Sequence, residues 1–378
     1  MEITDEFCNE GPFCYRNWKA MTAGLPSRNA TEYCLYSDII MFADPDQNHG
    51  PYKLMSLFMS HKITGLRPVI ALQVEHHNPN ENRSHADEIA AIVSLCLGIR
   101  LEAGPLTRAF NSNDDVRGHP VGWEYHKTPV LPPTQDHLLR AVIPAACGYH
   151  SMRDAEVLST LTKLSPSTAT ALFRAAKLYQ NALWLAETQP ELTWLMLVSA
   201  VEVAAGQWRS SKESALERML DFKPDLADLL RPHGEELMSH VAVKIADFMG
   251  STRKFRDFLL TFLPEPPIER TEEAHQHPWT TEALKKTFNI IYGHRSKALH
   301  DGIPFPAPMC VPPLWNGGFS EHRGIYREKP EALISQDWKI EDTPMYLYLF
   351  EYIVRNALLK WWHEMSRDEN DPKGLVGA

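Results

Sequence analysis

Residues 191–209 read ELTWLMLVSAVEVAAGQWR, and Glu202 is the only charge between Glu191 and Arg209. A helix apolar nearly all round belongs at the centre of a helical core rather than on its surface. Pro190 stands just ahead of it, where a missing N–H costs a helix start little. Working outward, apolar residues recur at helical spacing over most of the chain after residue 136. Helices are expected over 137–147, 155–164, 167–187, 191–209, 212–221, 235–249, 252–263, 281–292 and 344–365. Two stretches interrupt them. One is a Pro/Glu/His loop over 264–279. The other is an irregular insertion over 304–343 that opens with Pro304, Pro306 and Pro308. The second half therefore reads as an all-α bundle over 136–378.

The first half reads differently. The runs 31–42 and 68–75 carry β-branched and aromatic residues bounded by Pro, Asp, Asn and Gly, so both are expected strands. The polar run 76–83 reads as a loop. A helix capped by Ser84 or Asp87 is expected to follow, through about Leu101. Residues 103–135, with Gly104-Pro105 and Pro132-Pro133, read as irregular. The expected organisation is an α+β N-terminal domain over 1–135, sensing or regulatory, ahead of the bundle.

A chain of 378 residues has room for two such domains. Its net charge is −10, spread over both halves with no basic domain or tail, which argues against binding long duplexes through many phosphate contacts. No apolar run approaches the roughly 18–20 residues of a membrane span, so no membrane partner is expected. The acidic start, Met1 to Glu6, lacks the apolar stretch of a secretory signal. The six cysteines form no Cys-x-x-Cys pair and read as free thiols in a reducing cytoplasm. Phosphate-loop, zinc-helix and nucleophile-elbow motifs are missing from the sequence. Asp44, Asp46 and Asn48 start like a calcium loop, but Met55 stands where the bidentate glutamate belongs, so the segment reads as a turn. His76-His77 and the His275/His277 pair lie in polar stretches and read as solvated surface histidines.

The chemistry is carried by Thr287 to Gly302, TFNIIYGHRSKALHDG, in which Arg295 and His300 stand five positions apart. Spacing alone is weak evidence: about one such pair is expected by chance in a chain this rich in both residues. A second pair exists, Arg270 and His275, but Glu272 and Glu273 beside it would repel phosphate. Arg295–His300 instead follows an amphipathic helix and ends at Gly302, a helix stop.

This wording resembles the HEPN superfamily, and most closely its Apea-like branch, in which a Tyr precedes an Arg-Ser pair and a small apolar run leads to His. The run Val198-Ser199-Ala200-Val201-Glu202 is similar to the glutamate-bearing helix of such families. The resemblance covers roughly 165–365 and implies a HEPN-like bundle. It also implies a metal-independent endoribonuclease without cofactor, acting in toxin or antiviral defence systems, with RNA as substrate, a homodimer as the active form and a regulatory partner or trigger. Carried onto this chain, His300 is the general acid/base and Arg295 the phosphate clamp. Lys297 and His294 add phosphate contacts, Tyr292 packs or stacks, and Glu202 orients Arg295. Ser296 departs from the Asn, Asp or His that many active members carry after the arginine. The alternative implied by the same resemblance is a catalytically inactive dimerisation or partner-binding module.

On a straight helix, Arg295 and His300 lie about 140° apart. A long arginine, a distortion at Gly293, or a cleft shared by two copies are the three ways to bring them to one phosphate, and the shared cleft is the expected one.

Overall fold

The computed structural model describes residues 10–37, 46–61, 65–77, 82–110, 117–121, 141–147, 150–210, 214–245, 250–319, 324–330 and 338–367. Helix α1 (Phe13–Thr22) precedes β1 (Asn29–Ser37), β2 (Gln47–His49), β3 (Tyr52–His61) and β4 (Gly65–His76). Next come α2 (Asn82–Leu97), β5 (Leu101–Phe110) and the short β6 (His119–Pro120). These strands form one six-stranded antiparallel sheet in the order β2-β3-β4-β1-β5-β6.

The two-residue period of a strand sorts the side chains. Tyr33 and Leu35 of β1, with Ile70, Leu72 and Val74 of β4, join the main core, where α2 covers the sheet. Cys34, Tyr36 and Val69 form a separate small cluster. Positions 38–42 of the longer expected strand, and Asp44 of the calcium-like segment, lie outside the described residues. Asp46 pairs with Lys53 at 2.9 Å across the β2–β3 hairpin.

Several expectations are corrected here. The stretch from residue 103 is not irregular at its start, because β5 pairs with β1 throughout. Gly104-Pro105 looked like a turn, but these two residues oppose the single Cys34 in a β-bulge, where a missing N–H breaks no ladder bond. A Cβ at Gly104 would sit 2.5 Å from the Tyr36 ring and 2.7 Å from the Cys34 carbonyl, so only glycine fits. The expected helix after residue 84 stops at Leu97, with Gly98 in the left-handed region at φ +68°. Within 137–147 the described part, 141–147, holds only a short 3-10 turn, Pro144–Ala146. Positions 137–140 and Pro132-Pro133 lie outside the described residues.

The second half contains α3 (Pro166–Leu185), α4 (Pro190–Ser210), α5 (Ala215–Phe222), α6 (Pro224–Leu230), α7 (Glu235–Ile245), α8 (Ser251–Thr261), α9 (Thr281–His300) and α10 (Leu347–Met365). A 3-10 segment, Met152–Lys163, leads into α3 where an α-helix was expected. The insertion over 304–343 holds a small hairpin, β7 (Trp315–Phe319) with β8 (Gly324–Tyr326). Among the described residues, no helix is long and apolar enough to cross a membrane.

Helix α4 is central, with Trp194, Leu197, Val198, Val201 and Ala205 fully buried. Trp194 is sandwiched between Phe305 and Phe350, with ring centroids at 5.3 and 4.8 Å, and its indole N–H donates to the Met309 carbonyl. That stack ties the start of the insertion to the bundle. The buried apolar core runs without a break from Cys14 through α2, α3 and α4 to Trp362. Polar contacts cross it as well. Gln180 and Trp184 of α3 donate to the Leu101 carbonyl at 2.6 and 3.0 Å. Arg355 of α10 donates to the carbonyls of Leu95 and Cys96, placing a cation at the negative end of α2.

Candidate functional site

Helix α9 starts at a side-chain cap, with the Thr280 hydroxyl accepting from the Ala283 N–H. It runs without interruption to His300, beyond the expected end at Tyr292. Gly293 introduces no break, although glycine in a helix interior costs about 1 kcal/mol against alanine. The stop comes at Gly302, with φ +68°. Phe288, Ile291 and Tyr292 are buried on the core side.

Arg295 faces α4. Its Nη2 donates to Glu202 Oε2 at 2.8 Å, and the Tyr292 hydroxyl donates to Glu202 Oε1, also at 2.8 Å. One carboxylate therefore holds both groups, and the guanidinium carbon lies 5.4 Å from the centre of the Tyr292 ring. Burial, then the Glu202 carboxylate, pushes the Tyr292 phenol up to about 12, so it stays a hydrogen-bond donor. The Arg295 and Glu202 side chains are 20% and 22% exposed, so the pair lies at the edge of the bundle and not sealed within it. Arg295 Nε has no partner among the described residues. Such a charge-assisted bond contributes about 1.5–3 kcal/mol.

His300 is exposed at the last position of α9. Because the helix is regular, His300 lies about 140° round the axis from Arg295 and about 7.5 Å further along it. Within one chain the two side chains are not brought to one point. Lys297 is exposed and Ser296 half-buried on the same outer side as His300.

His294 is corrected. It was expected to touch phosphate, but it is buried at 5% exposure and its Nε2 lies 2.7 Å from the Asp342 carbonyl. Burial lowers its pKa, so it is a neutral strut under the insertion and not a cation for phosphate. Phe305 and Trp338 flank its ring, with centroids at 5.8 and 6.3 Å. Nothing local in the sequence signals this, because Asp342 is 48 positions away.

The second Arg/His pair is structural on the arginine side. Arg270 forms a two-pronged pair with the buried Glu328, at 2.8 and 2.6 Å, and also donates to the His277 carbonyl. His277, expected at the surface, is buried, and its Nε2 lies 2.8 Å from the Thr287 hydroxyl on α9. His76 is corrected likewise: it is fully buried, 2.6 Å from the Thr31 hydroxyl and in edge contact with His85. His77 is partly exposed. The described cysteines are free thiols, and no cluster of three or more metal-ligand side chains occurs among the described residues. No family model, no curated protein and no solved structure matches this chain.

Proposed function

We propose that the chain is a metal-independent endoribonuclease of HEPN type, working as a homodimer. The observation that carries the reading is the division of labour on α9. Glu202 holds the Arg295 guanidinium at the edge of the bundle, while His300 stands exposed at the helix end. Two copies related by a two-fold axis set the arginine of one against the histidine of the other.

The chemistry follows from RNA itself. The 2′-hydroxyl is the nucleophile. His300 takes its proton as the O2′–P bond forms, and the partner's His300 protonates the departing 5′-oxygen as the P–O5′ bond breaks. Arg295 offers planar donors to the extra charge that builds on the phosphoryl oxygens. The products are a 2′,3′-cyclic phosphate and a 5′-hydroxyl. The pair with Glu202 orders a long side chain before substrate arrives, which removes an entropic cost from the reaction.

A second reading is favoured by the same ion pair. Glu202 already offsets the charge of Arg295, as expected of a structural strut in a non-catalytic dimerisation module. Mixed single-stranded and transfer RNAs incubated with the purified protein separate the two. The nuclease reading expects cleavage in EDTA with cyclic-phosphate ends. Intact RNA, or cleavage abolished by EDTA, favours the strut.

A further inference from the structure

Charge in this chain is segregated. Helices α8 and α9 together carry seven Lys and Arg (Arg253, Lys254, Arg256, Lys285, Lys286, Arg295, Lys297) against two acids, Asp257 and Glu282. These two helices thus hold +5, and the remainder of the chain holds −15 to make the total of −10. The helices are neighbours, since Phe255 of α8 packs on Phe288 and Tyr292 of α9 with ring centroids at 6.5 and 5.3 Å. Asp257 is shared by Arg253 and Arg256, and Arg295 is taken by Glu202. Among the described residues, no carboxylate pairs with Lys285, Lys286 or Lys297.

Those three lysines lie along one side of α9. At 100° per residue, Lys285, Lys286, Asn289, Gly293, Ser296, Lys297 and His300 fall within an arc of about 120°, which also holds the exposed Glu282 one turn ahead of the first two lysines and paired with neither. This is the solvent side, because Leu284, Phe288 and Ile291 occupy the opposite one. The stripe is about 22 Å long at 1.5 Å per residue. Between Lys286 and Ser296 it carries no bulky side chain, and a Cβ added to Gly293 would meet nothing within 4 Å.

We infer that the outer face of α9 is a track for the sugar–phosphate backbone of single-stranded RNA, leading to His300. Charge complementarity selects the occupant. Lysines without acid partners, spaced along a line in an otherwise acidic protein, match a linear polyanion. Asn289 and Ser296 add hydrogen-bonding groups for sugar and phosphate oxygens. A membrane surface is the weaker match, because the exposed apolar side chains beside the stripe, Leu299 and Ile303, stand only at its His300 end and form no apolar face along it. The inference deepens the ribonuclease reading by naming the path of its substrate, and its test does not depend on cleavage.

The probe is a 2′-O-methylated single-stranded RNA of about 16 nucleotides, which lacks the attacking hydroxyl and reports binding alone. Its affinity for the 378-residue chain is measured over a series of salt concentrations. The Lys285→Gln/Lys286→Gln variant keeps helix propensity at exposed positions. It is expected to bind more weakly, with a salt slope shallower by about 1.4, since each phosphate contact on a single strand contributes about 0.7. The Lys223→Gln/Lys244→Gln variant removes the same charge elsewhere and is expected to keep the full slope. Equal slopes for all three proteins would overturn the inference, as would an equal loss in both variants. It would also be overturned if the unmodified chain bound phosphatidylserine vesicles but not this RNA. RNA binding that meets the expectation in a protein without cleavage would leave the track standing and the nuclease fallen. Cleavage unaffected by Lys285→Gln/Lys286→Gln would do the reverse.

Discussion

Replacing His300 by alanine is expected to lower the rate of RNA cleavage by about 10²–10⁴, the usual contribution of a positioned acid or base. His300 is exposed and makes no side-chain hydrogen bond among the described residues. Thermal stability should therefore stay within about 0.5 kcal/mol of the unmodified chain. Arg295→Ala is expected to lower cleavage by about 10²–10³. Unlike His300→Ala, it should also cost stability, because Glu202 would keep only the Tyr292 hydroxyl as partner. Single-turnover rates and thermal melts on both variants check the pair of outcomes. Rates within a few-fold of the unmodified chain in His300→Ala would remove the acid–base role. A loss of activity in Arg295→Ala that only tracked its loss of fold would leave the arginine as a strut.

Acidification is expected to destabilise the sheet half well before carboxylates are neutralised. Burial holds His76 down to about 4 and His85 down to about 3, against an ordinary value of 6.5. Buried His49, His277 and His294 are shifted the same way. The unfolded chain binds these protons first, so stability present above pH 6.5 is lost as pH falls toward the folded values. The difference for His76 corresponds to about 3 kcal/mol, lost in full only below pH 4. Glu88 opposes the trend at the acid end, because burial raises its pKa and the folded chain protonates it early. Denaturant midpoints measured from pH 7.5 to 5 should fall steadily, and less steeply in a His85→Asn variant. An equally steep fall in that variant, or no fall in the unmodified chain, would contradict the assignment.

Much of the helical half was legible because single elements declare themselves. The 191–209 run has a single charge between its two ends and no polar side, so a central position was the only economical place for it. Gly302 was read as a helix stop, yet the helix itself was expected only as far as Tyr292 and runs on to His300. What escaped notice depends on residues far apart in the chain. Helix α1 has no local cap; its first N–H groups, Phe13 and Cys14, donate to Glu88 of α2 at 3.1 and 2.8 Å. Strand β5 was hidden by Gly104-Pro105, whose bulge exists only because β1 lies opposite. His76, His277 and His294 sit in polar wording, yet each is sealed by tertiary contacts that no local pattern records. At the site, Glu202 was assigned to Arg295 only through the resemblance of the 198–202 run, and the two lie 2.8 Å apart. His294 was misread because adjacency to Arg295 along the chain puts it on a different side of the helix.

Since one chain turns Arg295 toward Glu202 and carries His300 on the outer side, the account stands on two copies meeting at the Arg295–His300 end of α9. Sedimentation over a dilution series, read together with specific cleavage activity, tests this most directly. The account predicts a dimer whose specific activity falls as dilution separates the subunits. A monomer at every concentration, cleaving with constant specific activity, would contradict it.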